Sequence, residues 1–177
     1  MVYRNFVLTI LLFLSTAPTS AQELPLSEHL AVFAPMLGKT FEGMFAGSTA
    51  ENPQKDVSKW ERAMNGQAVR ILHSVNDGAY GGESIFMWDP KEEKIKFWYF
   101  TTAGFYTTGT LEIEGQTWSS IEKVTGNTNG ITEVRSTATI MSDGTMVSKA
   151  EFFKDGEWTP GHEITYRESP TAKVIFK

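Results

Sequence analysis

Gln67-Ala-Val-Arg-Ile-Leu-His-Ser-Val-Asn-Asp-Gly-Ala-Tyr-Gly-Gly-Glu-Ser-Ile-Phe-Met-Trp-Asp89 decides the fold. Its first third alternates Val69, Ile71, His73 and Val75 with Arg70 and Ser74, the period of a strand. Asn76-Asp77-Gly78 then breaks it with residues that accept the backbone of a tight reversal. A second apolar run through Ile85, Met87 and Trp88 follows at once. The gap is too short for a crossover helix, so the two runs form an antiparallel hairpin.

The same text repeats to the end of the chain. Strands are expected near 40–46, 56–64, 67–75, 81–89, 94–101, 105–114, 116–124, 131–141, 145–154 and 157–167. Asn65-Gly66, Asp143-Gly144 and Asp155-Gly156 mark tight turns, and Glu114-Gly115, Asn129-Gly130 and Asp89-Pro90 mark further reversals. Ten hairpin-linked strands left as an open sheet expose an apolar face and two unpaired edges. Closure removes both, which predicts an all-β, up-and-down antiparallel barrel of about ten strands. A two-sheet sandwich is the rival, but it needs long Greek-key connections, and only residues 47–55 read as a long loop. Ahead of the strands, Ser27 and Glu28 begin a short helix in which Leu30, Phe33 and Leu37 recur before Gly38. Pro35 limits its regularity. Its apolar stripe is expected to close one end of the barrel, with Phe41 packed against it.

Residues 1–21 read as a cleaved signal peptide: Arg4, the apolar run Phe6–Leu14, Pro18, and Thr19-Ser20-Ala21 before a cleavage point near Ala21. The apolar run is too short for a spanning helix. The expected product is a single domain, 22–177, periplasmic or secreted, with no stable membrane anchor. The chain has no cysteine, which excludes disulfides, thiol catalysis and thiolate metal sites. The leader holds Arg4 and no acid, leaving 15 basic and 21 acidic side chains, a net of about −6. They are dispersed, so nucleic acid is not an expected partner.

The segment Leu37-Gly38-Lys39-Thr40-Phe41-Glu42-Gly43 resembles the opening of lipocalin-like barrels, with Phe41 where such barrels carry Trp. Trp60-Glu61-Arg62 before Asn65-Gly66, and the closing Gly161-His162-Glu163-Ile164-Thr165-Tyr166, are similar to uncharacterised exported bacterial lipocalin-like (calycin-type) domains. The ten-strand count is also similar to fatty-acid-binding proteins and nitrobindin-like barrels. The resemblance implies a hollow barrel and, through the late-strand position of His162, haem as an alternative cofactor.

Candidate site residues follow from parity. His73 shares the face of Val69 and Ile71, and Glu83 that of Ile85 and Met87. A register pairing 69 with 87 sets His73 opposite Glu83, an acid–base pair for a cavity isomerase, cyclase or lyase. A tighter turn at Asp77-Gly78 shifts the register by one and separates them. His162 shares parity with Trp158, Ile164 and Tyr166. The expected lining is Trp60, Ile71, His73, Glu83, Phe97, Tyr99, His162 and Tyr166, facing a small apolar or aromatic ligand. Both faces of 97–100 are aromatic, so one set of rings either points outward, where a second copy of the chain would pair with it, or is covered by another element. Arg70, Arg135 and Glu151 belong to the exterior. Three histidines without cysteine predict no dedicated metal site, and Asn127-Thr128-Asn129-Gly130 reads as a turn, not a calcium loop. Ser119 and Ser120 have no base that the sequence identifies. A non-binding structural or interaction module with a side-chain-filled interior is the remaining reading.

Overall fold

The computed structural model describes residues 24–127 and 129–177; the leader assigned to 1–21 lies outside them. Ten strands form one closed antiparallel barrel: β1 (Thr40–Phe45), β2 (Lys55–Ala63), β3 (Ala68–Val75), β4 (Tyr80–Asp89), β5 (Lys94–Thr101), β6 (Tyr106–Glu114), β7 (Thr117–Thr125), β8 (Ile131–Ile140), β9 (Met146–Lys154) and β10 (Glu157–Glu168). Each strand pairs with its sequence neighbours, and β1 pairs with β10 to close the ring. The sandwich is excluded. No described helix is long and apolar enough to cross a membrane.

The reversals use the expected chemistry. Asn65 and Asp77 sit at positive φ ahead of Gly66 and Gly78, as tight hairpin turns require. The turn between β3 and β4 sets a register of Val75 with Tyr80, Ile71 with Ser84 and Val69 with Phe86. This is the tighter alternative. It turns the even residues of β4 inward, so Ser84 and Phe86 face the interior while Glu83, Ile85 and Met87 face out. Both faces of this strand are apolar, so composition could not choose between them.

One end of the barrel is solid. Glu28–Met36 forms a 3₁₀ helix that seats Leu30, Phe33 and Met36 inside, none more than 4% exposed. A 3₁₀ helix has three residues per turn, so positions i, i+3 and i+6 share one face. This replaces the expected Leu37 with Met36 as the third buried anchor. Phe33 meets the rings of Trp60, Phe86 and Trp118 at centroid distances of 5.2–6.0 Å, the Trp118 contact edge-on. Phe41, Ile95, Met146 and Ile164 complete the plug. His29, on the same helix, stacks on Trp88 at 4.0 Å and takes no part in the interior beyond.

Candidate functional site

Above the plug the barrel is hollow. A cavity of about 750 Å³ runs from Phe33, Trp60 and Trp118 at its floor to strand ends and loops near Phe45, Ala103, Phe105 and Asn129. Its walls are mostly apolar: Ile71, Phe86, Phe97, Leu111, Val134 and Phe152 contribute. Of the eight residues expected to line it, seven do so: Trp60, Ile71, His73, Phe97, Tyr99, His162 and Tyr166.

Glu83 does not. Its partner across the ladder is Leu72, and Gly82 stands opposite His73. The Glu83 carboxylate lies outside, where it accepts a hydrogen bond from Arg70 Nη2 at 3.0 Å and forms an ion pair with Arg70 Nε at 2.9 Å. The His73–Glu83 pair therefore does not form, because a one-residue change of register sends a side chain to the opposite face.

Asp56 takes the place assigned to Glu83. It enters from β2, two positions before Ser58 and four before Trp60, on the same inward face. The Tyr166 hydroxyl donates to Asp56 Oδ2 at 2.7 Å, and His73 Nδ1 lies 2.8 Å from Asp56 Oδ1. A carboxylate only accepts, so the proton on this side of the imidazole is assigned to Nδ1. In the neutral ring Nε2 then accepts, and the Tyr99 hydroxyl lies 2.7 Å from it. Tyr80 continues the chain, its hydroxyl 2.8 Å from that of Tyr99. Asp56 is 2% exposed and His73 20%, so the inner member is sealed while the outer ones face the cavity.

Two glycines make this crossing of rings feasible. A side chain at Gly43 would collide with the ring of Tyr166, and one at Gly82 with the ring of Tyr99. Without Cβ atoms on β1 and β4, the two phenol rings lie flat across neighbouring strands and carry their hydroxyls toward Asp56 and His73.

Burial sets the protonation of the group. It pushes the Tyr99 phenol far up, helped by Tyr80 and by the negative charges of Asp56 and Glu122. Tyr166 rises well above its usual value through burial first and Asp56 second. Tyr80 also rises through burial, against the hydrogen bond it shares with Tyr99. All three phenols therefore keep their protons and serve as neutral hydrogen-bonding groups. They are not phenolate nucleophiles.

A second carboxyl faces the cavity from β7. Glu122 Oε2 accepts from the Thr107 hydroxyl at 2.6 Å. Burial pushes its carboxyl above the usual range, and the Thr107 hydrogen bond only partly opposes this. His162 stands across the interior between Phe45 and Phe152, at ring distances of 5.9 and 5.8 Å. His162 keeps solvent contact at the rim, and its partial loss of hydration, together with the nearby His73, lowers it below the usual histidine value against the pull of Asp56. A bulge after Pro160 places two residues of β10 opposite one of β9. That extra residue corrects the expected parity: Trp158 lies outside under Arg135, 4.5 Å from its guanidinium carbon, while His162, Ile164 and Tyr166 point in.

Asp56, Tyr80, Thr107 and Glu122 escaped the sequence reading. Parity with Trp60 was the signal for Asp56, and parity with Trp118 the signal for Glu122. Arg70, Arg135 and Glu151 lie outside as expected, the last two in a bidentate pair at 2.6 and 3.0 Å. Among the described residues no cluster of three histidine or acidic side chains could hold a metal ion. Outward rings of Trp98, Phe100 and Tyr106 are 37–51% exposed.

No protein-family model matches the chain, and no curated protein matches it. A solved structure does. The chain is similar to the crystal structure of Rv2717c from M. tuberculosis, with a TM-score of 0.58 and 11% identity, over 82% of this chain and 99% of that one. They share a barrel fold. At that identity the likeness carries the architecture and leaves function to the site.

Proposed function

We propose that this protein is a binding protein of the lipocalin-like, calycin-type barrels, acting in the periplasm or outside the cell on a small, mostly apolar molecule. The observation that carries the reading is the interior itself: about 750 Å³ of space over an aromatic floor, with polar groups gathered along part of the wall. Ligand cavities of this kind combine apolar area for affinity with a few fixed polar groups for orientation. Tyr80, Tyr99 and His73 supply the orientation here, held by Asp56 and Tyr166. The leader-like residues 1–21 support the location.

Native mass spectrometry of protein purified from its own host tests this, together with titration by the neutral dye Nile red. A small molecule released on denaturation, and saturable dye binding at one site per chain, are expected. A bare chain that also fails to bind Nile red would overturn the reading.

The Asp56–His73–Tyr99 chain favours a second reading, an enzyme of isomerase, cyclase or lyase type, because a carboxylate-oriented imidazole is a competent acid–base unit. Its Nε2 is engaged by Tyr99, so proton exchange with a substrate would run through the phenols. Turnover abolished by His73→Ala would favour it. Haem fits less well. Among the described residues His162 has no hydrogen-bonded partner on its ring and could supply an axial nitrogen, but the described lining holds no Lys or Arg for the two propionates. The outward rings of Trp98, Phe100 and Tyr106 support pairing with a second copy, checked by sedimentation.

A further inference from the structure

The carboxyl groups in the cavity face no Lys or Arg: among the described residues that line it, Asp56 and Glu122 are acidic and none carries a permanent positive charge. The remaining titratable groups facing the space are His73, His162, Tyr80, Tyr99 and Tyr166. His162 is held toward its neutral form by partial loss of hydration. The two acids are not equivalent. Both oxygens of Asp56 are engaged, one by Tyr166 and one by His73. Glu122 accepts only from Thr107, through Oε2, and no described cation pairs with it. The charges of both acids reach the Tyr80–Tyr99 pair, raising both phenols.

A buried carboxyl without a cationic partner is costly to ionise, and a ligand that brings the cation relieves the cost. An anionic ligand faces the reverse: it loses its water and meets two acids with no Lys or Arg among the described lining residues. We infer that the cavity selects a molecule with an aromatic or apolar body and a protonated amine, with the free oxygen of Glu122 as its counter-ion and the Tyr80–Tyr99 hydroxyls beside it, and that it rejects carboxylate amphiphiles such as fatty acids. This deepens the binding reading above and rests on it. The aromatic ring of Tyr99 in the lining adds favourable surroundings for a cation in a desolvated site.

Calorimetric titration with three bodies of nearly equal size tests the charge preference: 1-naphthylmethylamine, 1-naphthylmethanol and 1-naphthoate, near neutral pH. The amine should bind at least about tenfold more tightly than the alcohol, the advantage of one charge-assisted hydrogen bond. The naphthoate should bind more weakly than the alcohol. Glu122→Gln keeps the size of the side chain and an oxygen for Thr107, so it should remove the amine's advantage over the alcohol measured on the same variant. Naphthoate binding as well as the amine, or an amine preference that survives Glu122→Gln, would overturn the inference. So would failure of all three probes on a protein that still binds Nile red. Loss of Nile red binding itself counts against the binding reading instead.

Discussion

The two ends of the barrel solve opposite problems with the same ten strands. At the plugged end, Leu30, Phe33 and Met36 fill the interior against Trp60, Trp118 and Phe41, and burial of apolar surface does nearly all the stabilising. In the open half the inward positions carry Asp56, His73, Tyr99, Tyr166 and Glu122 around the cavity. Each polar group there must be satisfied by another, or by a ligand, to offset its lost hydration. One end holds the fold together, and the other end spends part of that stability on a site.

Breaking the plug should have the largest effect. Phe33 is fully buried and touches three aromatic rings. Phe33→Ala should cost about 3–5 kcal/mol, read from urea denaturation. Asp56→Ala comes next. It leaves the Tyr166 hydroxyl and His73 Nδ1 without their acceptor, at a cost of about 2–3 kcal/mol, and it should also weaken Nile red binding because Tyr99 loses its anchor. A loss from Asp56→Ala equal to that of Phe33→Ala would erase the proposed division between the ends.

Smaller effects concern the open half and depend on pH. Burial raises the folded value of Glu122, so its contribution to stability is whole below its unfolded value, roughly pH 4.3, and is lost as pH rises through the folded value. Glu122→Gln should therefore be more stable than the parent near neutral pH, with the difference closing in acid. His162 has the opposite sign. Partial loss of hydration lowers its folded value, so its contribution is whole above its unfolded value, roughly pH 6.5, and is lost as pH falls through the folded value. His162→Gln should flatten the acid side of the profile of thermal midpoint against pH. The smallest change should come from the exterior. Arg135→Gln breaks a solvent-exposed pair with Glu151 and should leave the midpoint within error.

The architecture was readable because turn dipeptides and period-2 text are local signals. Asn65-Gly66 and Asp77-Gly78 accept the positive φ of a tight turn at little cost, and ten alternating runs cannot bury their faces without closing. The lining was readable where a strand has one apolar face, as for Ile71 and His73 on β3. It failed on β4, where Ile85 and Met87 compete with Phe86 and Trp88, and a single-residue register choice exchanged Glu83 for Ser84. Asp56 and Glu122 were hidden for a different reason. A carboxylate inside a barrel has the same sequence appearance as one on the solvent face, and only the closed ring brings β2, β3, β5 and β10 together around Asp56. The bulge after Pro160 carries no strong sequence mark, so Trp158 was assigned to the wrong side while His162 was not.

The contrast between a filled end and a hollow one can be measured directly by blocking the space. Ser148 faces the cavity from β9, opposite Ile164 and Ala138. Ser148→Trp should keep the barrel's circular dichroism and abolish the one-site binding of Nile red seen with the parent protein. Equal dye binding by parent and variant would place the dye on the outer surface and contradict a ligand cavity in the open half.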